Sequence, residues 1–198
     1  MNHLPLICRT AMLFAVFFVS SIPGFAQQTA QFGPSYDVVL QVVVGSNDAA
    51  RSDLPKELSA ISRQLRSKFA FSDYRLANTF LGRVGENGNL EYKSVANFLG
   101  KGESDATPTF LDWSLGNFSG VSEAGSKNIF HVQSFRFGSR VPVRMSLKAD
   151  APINYEPIGL SFNRVGFSAN TPTLLGTLSL PQTDGMMFLI ITVKPAEL

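Results

Sequence analysis

Residues 52–92 read SDLPKELSAISRQLRSKFAFSDYRLANTFLGRVGENGNLEY, and within this stretch the hydrophobic period changes from 3.6 to two. Leu54, Leu58, Ile61, Leu65 and Phe69 recur at spacings of three and four, as on the apolar face of a helix. Ser52 and Asp53 offer N-cap oxygens and Pro55 suits a first helical turn, so the pattern predicts one helix over 54–69. The opposite face carries Lys56, Arg63, Arg66 and Lys68, a solvated polar face or a contact for an anion or a membrane surface. Beyond Phe69, Tyr74, Leu76, Phe80 and Val84 alternate as on one strand, and Leu90 with Tyr92 opens the next. Asn87-Gly88 lies between them; both residues tolerate positive φ, which predicts a tight hairpin.

The same two-residue period governs most of the remaining chain. Before the helix, YDVVLQVVV at 36–44 is rich in β-branched residues and ends at Gly45-Ser46-Asn47-Asp48, the pattern of a buried strand. After it, strands are predicted near 109–118, 128–137, 140–148, 157–167, 173–180 and 186–193, each bounded by Gly, Pro, Asn or Asp. Asp184-Gly185 predicts a second hairpin between the last two. The predicted fold is therefore mainly β (α+β), an antiparallel β sandwich or partly open barrel with one amphipathic helix. A single β-rich domain is expected over 36–198. The polar loop at 100–108 is the one place where an α/β lobe (36–99) would part from a β lobe (109–198).

Composition sets the class. Of 198 residues, 44% are hydrophobic and 16% charged, with a net charge of +2, which excludes disorder and argues against a nucleic-acid binder. Residues 1–26 carry Arg9, no acidic residue, an apolar run at 11–22 and small residues at Gly24 and Ala26, followed by polar Gln27. This is the pattern of a secretory signal peptide cleaved between Ala26 and Gln27, with a polar lead-in at 27–35. The apolar run is too short to span a bilayer, so the mature chain is expected to have no transmembrane helix. Cleavage would remove Cys8, His3 and Arg9, leaving a cysteine-free chain of net charge +1 with His131 as its histidine. A disulfide-free exported protein of this size suits the bacterial periplasm or cell surface.

That inventory leaves little for catalysis. A Ser/His/acid triad would need His131, which sits in the strand pattern Ile129-Phe130-His131-Val132-Gln133 on the side of Ile129, Gln133 and Phe135 and reads as a half-buried structural histidine. No Ser precedes a Lys by three residues, a zinc site lacks Cys and a second His, and Glu103, Asp105 and Asp112 lack calcium-loop spacing. Gly82, Gly85 and Gly88 bracket a turn rather than open a helix, so no nucleotide site is expected. Trp113, Phe110 and Phe118 are read as core rather than as a sugar-stacking platform. Arg136, Arg140 and Arg144 fall near an expected turn and form a basic edge. With Arg63 and Arg66 they are the candidate interaction surface. No catalytic residue, metal or cofactor is assigned.

Over residues 138–195 the order of motifs resembles the C-terminal β core of the bacterial secretins. Gly138-Ser139-Arg140-Val141-Pro142-Val143 is similar to their G-x-x-V-P segment, and residues 153–160 (INYEPIGL) to a Y-x-x-x-G-[VL] strand. Residues 173–178 (TLLGTL) stand where those proteins carry T-v-v-l-G-G-l, with Thr177 replacing the second glycine, and 188–195 (FLIITVKP) are similar to the closing l-l-i-f-l-T-P. The long gate and membrane-hairpin insertions have no counterpart. The resemblance implies a β module that packs against other envelope proteins rather than a pore. The functional expectation is an exported, non-enzymatic envelope protein acting in assembly or interaction. The alternatives are a periplasmic β protein holding a small apolar ligand, lipid or sugar, then a small outer-membrane barrel or a hydrolase.

Overall fold

The computed structural model describes residues 33–47, 53–96, 107–121, 129–146, 152–181 and 183–196. The leader, the Ala26/Gln27 junction, the lead-in before 33 and the 100–106 part of the polar loop lie outside the described residues. Two strands with long runs of buried apolar residues organise the fold. These are β1 (Ser35–Ser46) and β8 (Met186–Pro195), paired antiparallel with Leu40 opposite Ile191 and Val42 opposite Leu189. Side chains alternate across a strand, so such strands need cover on both faces. Val38, Leu40, Val42, Met187, Leu189, Ile191 and Val193 face a second sheet, while Val43, Phe188 and Ile190 face the helix. Burying each large side chain contributes about 1.5–3 kcal/mol, so this pairing holds three layers together.

β2 (Asp73–Gly85) and β7 (Thr173–Ser179) flank that pair, giving the sheet β2-β1-β8-β7. The second sheet is β3 (Leu90–Ala96), β4 (Thr109–Val121), β5 (Ile129–Arg144) and β6 (Ile153–Ser168) in sequence order, and every pairing is antiparallel. Among the described residues the result is a β sandwich with one helix and no closed barrel. Trp113, Phe118, Phe130, Phe135 and Phe137 fill the interior from the second sheet. The division into lobes at 36–99 and 109–198 does not match this topology, because β1 pairs with β8 and β3 with β4.

Helix α1 (Ser59–Lys68) lies on the outer face of the first sheet, burying Ile61 and Leu65 together with Leu58 from the preceding 3₁₀ turn, Lys56–Leu58. The expected Asp53 cap is not used, since neither the turn nor the helix has a side-chain cap; Ser52 lies outside the described residues. The far end is fastened by Tyr74, whose hydroxyl donates to the Phe69 carbonyl at 3.0 Å and the Leu65 carbonyl at 3.2 Å.

Several sequence expectations are corrected. The Asn87-Gly88 turn, with Asn87 at φ 58°, does not join a hairpin: β2 pairs with β1 and β3 with β4, so the turn carries the chain from one sheet to the other. Its backbone instead pairs with β4, Asn87 N–H donating to Phe118 O and Phe118 N–H to Gly88 O. Gly138-Ser139-Arg140 is no break, and the two strands expected on either side of it are the single β5. A β-bulge reverses the alternation of β2, since one extra residue turns the following side chains to the other face. In β2 the shift falls at Ala77, so Tyr74 and Leu76 face the helix but Phe80 and Val84 face the second sheet. In the second sheet the register is the same on both sides of Asn117, Gln133 and Arg164, with Gly116 opposite Ser134 and Phe118 opposite Val132, yet the buried positions change phase there, from Leu115 and Phe135 to Phe118 and Val132, with Asn117 at φ 50° and Arg164 at φ 57°.

Candidate functional site

With the helix on the first sheet, the outer face of the second sheet is left without a covering element among the described residues. Leu111, Trp113, Leu115, Phe135 and Phe137 point into the core, so Phe110, Asp112, Ser114, Arg136, Gly138 and Arg140 point outward. The register places them in rows: Val95, Phe110, Arg140 and Pro157; Lys93, Asp112, Gly138 and Gly159; Glu91, Ser114, Arg136 and Ser161. Arg136, Arg140 and Arg144 thus share one face of a single strand, about 13 Å apart at 3.3 Å per residue. They are not a protected edge near a turn, as β5 is an interior strand between β4 and β6. Arg136 and Arg140 are exposed and make no ion pair among the described residues.

Apolar side chains stand among them. Phe110 is 42% exposed, against the expectation that it belongs to the core, and its ring lies 5.3 Å from that of Tyr155. Val95 beside it is 59% exposed, Met145 just past β5 is 66% exposed, and Ile153, opposite Arg144, is also exposed. Trp113 and Phe118 are buried as expected. Val95 could have been read from the sequence, since it shares the outward phase of Glu91 and Lys93; Met145 and Ile153 carry no such signal. Asp112 lies over Gly138, where a Cβ would stand 2.8 Å from its Oδ1, and Lys93 pairs with Glu91 at 3.1 Å.

Arg63 and Arg66 belong to the other side of the sandwich, on α1, so the five arginines form two surfaces rather than one. Arg66 stacks its guanidinium 5.3 Å over the Tyr74 ring. His131 is exposed between Ser119 and Gly166, not half-buried, and the change of phase at Gln133 puts Phe135 on the opposite face from it. It makes no hydrogen bond or ion pair among the described residues. No group of three or more His, Cys, Asp or Glu able to hold a metal occurs among the described residues, nor does any helix long and apolar enough to cross a membrane.

The perturbed titrating groups are structural in placement. Burial, reinforced by Glu86, raises the Tyr36 hydroxyl above its ordinary value; Tyr36 donates to Glu86, whose carboxylate also accepts the Gly120 N–H. Burial likewise raises Tyr74. The hydrogen bond from Arg83 at 2.7 Å lowers Asp37 on the outer face of the first sheet. Inside the second sheet Thr109 Oγ1, Trp113 Nε1 and Ser139 Oγ are buried without a hydrogen-bond partner.

No family model and no curated protein matches this sequence. Among solved structures the fold shows a weak likeness to a secretin. It is the Salmonella SPI-1 type III secretion injectisome protein InvG (residues 176 to the end, open gate state), at 11% identity and a TM-score of 0.30 over 83% of this chain. The alignment spans 58% of that chain's length.

Proposed function

We propose that this is an exported bacterial envelope protein of non-enzymatic type that acts as an assembly or interaction module through the outer face of its second sheet. The observation that carries this reading is the set of exposed Arg136 and Arg140 interleaved with exposed Phe110 and Val95 on a face that no helix covers among the described residues. Exposed apolar side chains interleaved with arginine are the composition of a surface that a partner covers. The leader-like residues 1–26 support placement in the envelope.

Photo-cross-linking in intact cells from a benzoylphenylalanine at position 110 tests it. A discrete adduct, absent when the same probe replaces the exposed Leu81 of the first sheet, is the expected result. A freely diffusing protein with no adduct at position 110 would overturn it.

A further inference from the structure

We infer that what this face meets is the surface of a bilayer containing anionic phospholipid. The inference rests on the reading of the outer face of the second sheet as an interaction surface and names its occupant. The exposed apolar side chains gather toward one end of the face: Val95 and Phe110 side by side on β3 and β4, and Ile153 at the β5–β6 end opposite Arg144. Arg140 and Arg144 stand in the same rows as Phe110 and Ile153, and Arg136 continues the line away from that end. No acidic side chain shares the Val95–Phe110–Arg140–Pro157 row. Asp112 stands in the next one beside Lys93, with its carboxylate folded over Gly138, and Glu91 in the row of Arg136 pairs with Lys93. The complementary surface is therefore anionic and apolar at once, in alternation over a few ångströms.

A phospholipid leaflet has that composition. Side chains such as Phe, Val and Ile enter the boundary between headgroups and acyl chains, while guanidinium groups take phosphate oxygens in two-point hydrogen bonds. Lipid also suits the shape. The exposed side chains are spread over a broad sheet face, and a fluid leaflet adapts to such a face without an inserted anchor. A protein partner is the alternative outcome, and the test separates it.

The test is co-sedimentation of the protein, purified as the cell exports it, with vesicles of phosphatidylglycerol and phosphatidylethanolamine, and with vesicles of phosphatidylcholine alone. Binding is expected to the first and not the second, and to weaken as salt rises. Each unit charge near an anionic surface changes partitioning roughly fivefold, so Arg140→Glu is expected to lower it about 25-fold and Arg136→Glu to lower it further. Phe110→Ser is expected to lower it about tenfold. Arg63→Glu, on the helix side, should leave it unchanged. All four positions are exposed, and unchanged thermal unfolding of each variant confirms that the loss is one of binding. Absence of binding to the anionic vesicles, or binding that Arg136→Glu with Arg140→Glu leaves intact, would overturn the inference. If a protein adduct nevertheless forms in cells from position 110, the interaction reading stands and the occupant is a protein. Without any adduct both fail.

Discussion

Gly159 is exposed on the outer face of β6, where substitutions are ordinarily tolerated, yet Gly159→Ala is expected to destabilise the protein by about 2 kcal/mol. A Cβ at this position would stand 2.6 Å from the carbonyl oxygen of Phe137, on the neighbouring strand β5, whereas ordinary contact begins near 3.4 Å. The obstacle is backbone, and the ladder that pairs Gly138 with Gly159 and Arg140 with Pro157 holds it in place. Opening the gap strains or breaks a ladder hydrogen bond, worth about 1 kcal/mol, and overpacking adds about 1–3 kcal/mol. Against this, alanine restricts the unfolded chain and returns about 0.4–1 kcal/mol. The neighbouring Gly138 is the control: its Cβ would meet Asp112 Oδ1 at 2.8 Å, but that is the end of an exposed side chain that can swing aside. Gly138→Ala is therefore expected within about 0.5 kcal/mol of the parent. Urea and thermal unfolding followed by circular dichroism should show Gly159→Ala melting about 4–8 °C lower. A parental midpoint for Gly159→Ala, or a greater loss for Gly138→Ala, would refute the reasoning.

Three further outcomes follow from the interior. Ser139→Ala, which removes a buried hydroxyl without a partner, is expected to leave urea stability unchanged or raise it by up to about 1 kcal/mol, and a clear loss would mean the hydroxyl is satisfied. Tyr74→Phe keeps the ring but removes the bonds to Phe69 and Leu65, and is expected to cost about 1 kcal/mol and roughly 2–4 °C in melting temperature; an unchanged melt would show that the helix end is held by packing alone. Because burial raises both Tyr36 and Tyr74, the unfolded chain releases these protons first as pH rises. Stability should hold up to about pH 10 and decline above it, and the paired Phe variants at 36 and 74 should flatten that decline; an identical alkaline slope would contradict the assignment.

The strand and helix content was legible because the signals were local. Leu58, Ile61 and Leu65 at helical spacing and the continuous apolar runs of β1 and β8 each specify their element without reference to the rest of the chain. What was not legible depends on pairing. Asn87-Gly88 has the chemistry of a hairpin turn, but β-branched β1 pairs β2 and leaves β3 to β4. Gly138 has the look of a strand break because nothing in one dimension shows that Asp112 lies across it. The bulge at Ala77 and the change of phase at Gln133 exchange inside for outside, and no residue at either position announces it. The arginines on β5 were singled out for lying near an expected turn, which the continuous interior strand β5 does not contain. Their separation from Arg63 and Arg66, and the company of Phe110 and Val95, required the sheet register.

The most direct test of a protein that works through the outer face of its second sheet is hydroxyl-radical footprinting in the intact envelope compared with the purified chain. Phe110 and Val95, both on that face and open to solvent in the isolated fold, are expected to lose reactivity in the envelope, while Leu81, 63% exposed on the first sheet, keeps its own. Undiminished oxidation of Phe110 and Val95, or protection of Leu81 in their place, would show that this face meets nothing in the envelope.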